Sequence, residues 1–130
     1  MEIYNRLIQA ATEVRKKAYA PYSNFKVGAA VLTKEGKVFT GCNVENASYG
    51  LSICAERVAI FKAISEGYKN FIAIAVVADT ETPVKPCGAC RQVMAEFGNY
   101  DVIMANLKGD VRIMKVSELL PEAFSPDDLK

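Results

Sequence analysis

Ile72-Ala73-Ile74-Ala75-Val76-Val77-Ala78 lies in the longest apolar run in the chain, and its reading decides the fold. Seven uncharged residues followed by Asp79 suit a buried strand, and strands of that kind lie in sheets covered by helices. Residues 79–86 then read as a loop with two prolines. The spacing predicts a helix over 87–97, stopped at Gly98, and a further strand over 102–105. A strand, a crossing helix and a second strand form the parallel unit around which the remaining elements are placed.

Upstream, Cys54, Val58, Phe61 and Ala63 mark a helix that Ser52 caps and Gly67 closes. Before it comes a polar loop over 43–52, and before that a hairpin. The hairpin's strands are Val27–Thr33 and Val38–Cys42, with Lys34-Glu35-Gly36-Lys37 as the turn. Ile3, Leu7, Ala10, Ala11, Val14 and Ala18 recur at helical spacing, which predicts an amphipathic helix over about 2–18 stopped by Pro21. Downstream lie a strand over 111–116, a short helix capped by Ser117 and ending at Pro121, and an acidic tail over 122–130 whose one aromatic is Phe124. The order α-β-β-α-β-α-β-β-α predicts an α/β fold with three α/β/α layers around a central five-stranded mixed sheet, in one domain over 1–130.

With 16 basic and 15 acidic residues the formal net charge is +1 and no basic run occurs, which argues against a nucleic-acid partner. No run approaches the ~20 apolar residues needed to cross a bilayer, so no membrane association is expected. Met1-Glu2-Ile3-Tyr4 does not read as a secretory leader, and a soluble cytoplasmic protein with reduced thiols is expected. Four cysteines in such a chain favour metal binding or catalysis over disulfides. There is no histidine, so acid–base work falls to carboxylates, cysteines, lysines or tyrosines.

Two motifs carry the chemistry: Cys54-Ala55-Glu56-Arg57 and Pro86-Cys87-Gly88-Ala89-Cys90. Cys87 and Cys90, at i and i+3, lie on one side of a first helical turn, where the helix end favours thiolates. Cys54 adds a third thiol at the start of another helix. Three thiols can hold Zn²⁺ with its fourth position open, and a nearby carboxylate points to chemistry on a bound water. Side chains at i and i+2 do not share a helix face. Cys54 and Glu56 therefore converge only if the metal sits off the helix end. Arg57 would donate to the thiolates and drain their negative charge. On pattern alone Glu56-Arg57 also fits a solvated helix face. Cys42 reads as a small core residue; as a fourth ligand it would instead close the site into a structural zinc module.

These two motifs resemble the signature of the zinc-dependent cytidine deaminases, short homotetrameric type, in the version whose first ligand is Cys. The resemblance extends through Ala20-Pro21-Tyr22-Ser23-Asn24-Phe25-Lys26-Val27-Gly28-Ala29-Ala30, Gly41-Cys42-Asn43-Val44-Glu45-Asn46-Ala47, and Glu118-Leu119-Leu120-Pro121 followed by Phe124. It implies one zinc per chain on Cys54, Cys87 and Cys90, with Glu56 as proton shuttle. The implied substrate pocket takes Phe25 against a pyrimidine ring, Asn43 and Glu45 on the ribose hydroxyls, and Ala55. The same resemblance implies that Tyr49 and Phe124 reach the pocket of a neighbouring subunit, in a homotetramer that shares its active sites. The implied activity is hydrolytic deamination of cytidine and 2′-deoxycytidine in pyrimidine salvage. A deaminase of a related nucleoside such as blasticidin S is the alternative within the family type.

Overall fold

The structure is a computed structural model that describes residues 2–130. Met1, on which the reading of the N-terminus as leaderless partly rests, lies outside the described residues. Along the chain come α1 (Glu2–Arg15), β1 (Val27–Thr33), β2 (Val38–Cys42), α2 (Ala55–Ser65), β3 (Phe71–Ala78), α3 (Gly88–Glu96), β4 (Asp101–Asn106), β5 (Val111–Lys115) and α4 (Val116–Leu119). Single 3₁₀ turns occupy Tyr49–Leu51 and Pro126–Leu129. The strands form one five-stranded sheet in the order β2-β1-β3-β4-β5. Only the β3–β4 pair, joined through α3, is parallel, so the sheet is mixed as expected.

Strand alternation divides the core between two faces. Ala73, Ala75 and Val77 of β3 turn toward Leu7 and Ala11 of α1. Ile74, Val76 and Ala78 turn the other way, toward Ala59, Ile60 and Ala63 of α2 and Met94 of α3. Glycine sets two close approaches. A Cβ on Gly28 would stand 1.9 Å from the Ala11 carbonyl oxygen, and one on Gly41 would stand 2.5 Å from the Ala59 nitrogen. Gly28 thus lets α1 lie on β1, and Gly41 lets α2 lie on β2.

Some boundaries differ from the sequence reading. Helix α1 ends at Arg15, not near residue 18, and Pro21 is not its stop. Past Arg15 the bonds tighten to i, i+3, and Tyr19 then leaves for a tertiary partner: its N–H donates to the Asn43 carbonyl and its own carbonyl accepts from Glu45. Ser52 does not cap α2, because its Oγ accepts the Asn46 N–H at 3.0 Å; Cys54 is the cap residue. Likewise Cys87 caps α3, which begins at Gly88. Lys115 caps α4, and Ser117 lies inside it. Strands β3 and β4 begin one residue earlier than expected, while β5 ends at Lys115.

Register places the site. Val27 pairs with Ala78, and Gly28 pairs with Cys42. The entry to β1, the exit of β2 and the exit of β3 therefore share one end of the sheet. The loops leaving β2 and β3 run there into the N-termini of α2 and α3.

Candidate active site

Because Cys54 and Cys87 are cap residues, their side chains project off the ends of α2 and α3 rather than along the helix sides. Neither makes a side-chain capping bond, so both sulfurs stay free for another partner. Cys90, one turn into α3, is fully buried. The three Sγ atoms lie within 4.8 Å of one another, and Cys54 and Cys87 are 3.7 Å apart. Zn–S bonds of about 2.3 Å in a tetrahedron separate sulfurs by about 3.8 Å, so the cluster has the size of a zinc site. Among the described residues Cys42 is not part of this group. It sits half-buried on the outer strand β2, neither a fourth ligand nor a fully buried core residue.

Arg57 supports the thiols directly. Its Nη2 donates to Cys54 Sγ at 3.5 Å, while its buried Nε has no partner. A cation held against sulfur in this way fits a cluster that carries negative charge. The Cys54 thiol is drawn well below its ordinary range, chiefly by hydrogen bonding from Cys90 and, after the opposing effect of burial, from Arg57 and Cys87. Cys90 is pushed upward by the same coupling to Cys54 and by burial.

Glu56 is 4% exposed, which excludes the solvated-face reading. Burial pushes its carboxyl up to about 7, the Cys54 charge adds to this, and its own backbone N–H and Arg57 pull the other way. A carboxyl poised near neutrality exchanges protons readily in both directions.

A cavity of about 240 Å³ opens over these groups and is lined by Phe25, Asn43, Glu45, Cys54, Ala55, Glu56 and Cys87 among others. Five residues not singled out from the sequence complete the lining: Val27, Ser52, Ile53, Val84 and Lys85. Their signal was only adjacency, since each lies within three positions of a residue already singled out. Asn43 has its amide largely engaged: Oδ1 accepts the Val27 N–H and Nδ2 donates to the Phe25 carbonyl, both at 2.8 Å. It thereby fixes Phe25, with one amide hydrogen left for a ligand. Glu45 accepts from the backbone N–H groups of Tyr22 and Ser23 and from the Ser23 hydroxyl. That hydroxyl is the main cause holding its carboxyl below the usual range.

Two residues stand apart from this cavity. Tyr49, 75% exposed, lines an adjoining hollow with Tyr22, Ser23, Glu45 and Ser52. Phe124, 58% exposed, lies on the C-terminal segment, where its carbonyl accepts from Gln92 Nε2 at 2.9 Å.

Comparison with known proteins agrees with this geometry. Residues 1–106 match the family model for the cytidine and deoxycytidylate deaminase zinc-binding region. A cytidine deaminase of Halalkalibacterium halodurans is 59% identical across 95% of both chains. One from Sporosarcina psychrophila is 55% identical across 95% of this chain and 93% of its own. The crystal structure of a cytidine deaminase from Burkholderia pseudomallei, 59% identical, superposes with a TM-score of 0.91 over 93% of this chain and 98% of that one. A zinc-sized cluster of three thiols beside a buried carboxyl, on a chain this similar throughout, has one reading: the protein belongs to the zinc-dependent cytidine deaminase family.

Proposed function

We propose that this protein, a single domain over residues 1–130, hydrolyses cytidine and 2′-deoxycytidine to the corresponding uridines and ammonia, serving pyrimidine salvage in the cytoplasm. The observation that carries the reading is Glu56, buried beside the Cys54–Cys87–Cys90 cluster and lining the same cavity as Phe25, Asn43 and Glu45. Cys54, Cys87 and Cys90 would hold zinc, which would supply the Lewis acidity that lets water act as a nucleophile near neutral pH. Glu56 takes one proton from that water and delivers it to ring N3 as oxygen adds to C4. It then passes the second proton to the amino group, and the C4–N bond breaks to release ammonia. Both protons of water are accounted for, one on N3 of the product and one on ammonia. Arg57 holds the thiolates by donating to Cys54.

Phe25 packs against the pyrimidine, and Ala55 leaves room for it beside the thiols. Glu45 and the spare amide hydrogen of Asn43 receive the ribose hydroxyls. The negative Glu45 disfavours a nucleotide phosphate and selects nucleosides. Tyr49 and Phe124 do not line their own subunit's cavity and are strongly exposed, which supports their reaching a neighbour's pocket in a homotetramer. Among the described residues no helix is long and apolar enough to cross a membrane.

The test is the ultraviolet absorbance of cytidine with the wild-type protein and with Glu56→Gln. We expect the band to decay with the wild type and turnover to fall by about 10²–10⁴-fold or more in the variant. Comparable decay in both would remove Glu56 from the mechanism. No decay with zinc-loaded wild type would move the substrate to a related nucleoside such as blasticidin S.

A further inference from the structure

Directly after the buried ligand Cys90, two consecutive side chains of α3 reach out to distant backbone. Arg91 Nε donates to the Pro86 carbonyl at 2.8 Å and its Nη1 to the Leu119 carbonyl at 2.9 Å. Its backbone N–H donates to the Cys87 carbonyl at 3.0 Å. Gln92 Nε2 then donates to the Phe124 carbonyl at 2.9 Å. Three of these contacts hold backbone carbonyls through side chains, and they fall at the two ends of one mechanical path. Pro86 sets the entry of the thiol-bearing loop, while Leu119 and Phe124 belong to the C-terminal segment.

We infer that Arg91 and Gln92 are positioning residues that fasten the metal-binding loop and the Phe124-bearing segment to the same helical turn, so that metal occupancy and the placement of that segment are linked. Proline has no N–H and offers only its carbonyl as a backbone handle. A planar guanidinium can bridge two carbonyls in a fixed geometry, whereas a lysine ammonium at the end of a flexible stem cannot reproduce that fork. Filling the thiol cluster restrains residues 86–90, and through Arg91 and Gln92 it restrains residues 119–124. By reciprocity, whatever orders the C-terminal segment also tightens the hold on the metal. What Phe124 does at a neighbouring pocket rests on the proposed function; the link itself does not.

The full-length protein, zinc-loaded and chelator-stripped, is compared by amide hydrogen exchange. In the wild type, residues 119–125 are expected to exchange faster after zinc is removed. In Gln92→Ala, whose side chain is only half-buried, that zinc-dependent difference is expected to shrink while one zinc per chain is retained. Arg91→Lys, confirmed folded by circular dichroism, is expected to release zinc to a chelator roughly two- to tenfold faster, the effect of one or two lost hydrogen bonds. Exchange in 119–125 that ignores zinc in the wild type overturns the link. So does a full zinc-dependent difference in Gln92→Ala, or unaltered zinc release in Arg91→Lys. None of these readouts requires turnover, so a failure here is distinct from a failure of the deaminase reading.

Discussion

The two faces of the sheet use alternate residues of the same strands and solve different problems. The α1 face is a packing surface: Leu7 and Ala11 against alanines of β1, β3 and β4, with Val77, Leu32 and Ile103 between them. Among the described residues it contains no buried ionisable group. The opposite face holds the larger core and also the one fully buried carboxyl among the described residues, Glu56. Both helices that supply thiols there have Cys at the N-cap position, and neither gains a side-chain cap. A capping oxygen contributes roughly 1 kcal/mol at such a position, so α2 and α3 forgo stability that an ordinary helix would take. One face is arranged for packing, and the other accepts poor caps and a desolvated acid for the sake of its ligands.

That contrast breaks most directly at Leu7, which is fully buried under α1. Leu7→Ala is expected to lower unfolding free energy by about 2–5 kcal/mol, since the rigid alanine surface around it cannot collapse into the gap. The denaturant midpoint should fall, while zinc content and the Michaelis constant for cytidine stay near wild type in the folded protein. Loss of zinc without a shift in midpoint would mean that the two faces are not separable.

On the other face the expected pattern reverses. Arg57→Ala removes the donor to Cys54 Sγ, a hydrogen bond between charged groups worth about 1.5–3 kcal/mol. Turnover is expected to fall by about tenfold or more. Stability should change little, because the substitution also removes the buried Nε that has no partner. Steady-state kinetics beside a denaturation curve separates the two effects. Unchanged turnover with a large loss of stability would make Arg57 a structural residue and blur the division between the faces.

The faces were unequally legible in the sequence. Apolar runs and helical spacing expose packing, so every strand and helix was readable to within a few residues. Two of the misread boundaries are places where a bond to another segment overrides the local signal. Tyr19 leaves the helix for Asn43, and Ser52 turns from capping to hold Asn46. The thiols were legible because two short motifs carry them. The remaining cavity lining was not, because Ile53, Val84 and Lys85 stand in loops with no periodicity to report which way they face. Asn43 shows a further limit. Its amide is mostly engaged with the backbone around Phe25, a positioning role that no spacing rule could reveal.

The smallest expected effect lies at the far end of the sheet, about 16 Å along the strand from the site. Asp101, at the start of β4, accepts from the Tyr4 hydroxyl of α1 at 2.5 Å and pairs with Lys115 of β5 at 2.9 Å. Tyr4 first, and Lys115 after it, hold the carboxyl below its ordinary range. A carboxyl depressed in the folded state adds stability that is fully present above its unfolded pKa of about 3.9 and is lost as pH falls through the folded value. Acid denaturation curves of the wild type and Asp101→Asn should therefore differ by under about 1 kcal/mol at neutral pH and converge below pH ~4. Deamination should be indifferent to the change. A variant that slowed turnover while leaving the acid limb untouched would carry the influence of the α1 face across the sheet to the thiols, and the division of labour between the two faces would not hold.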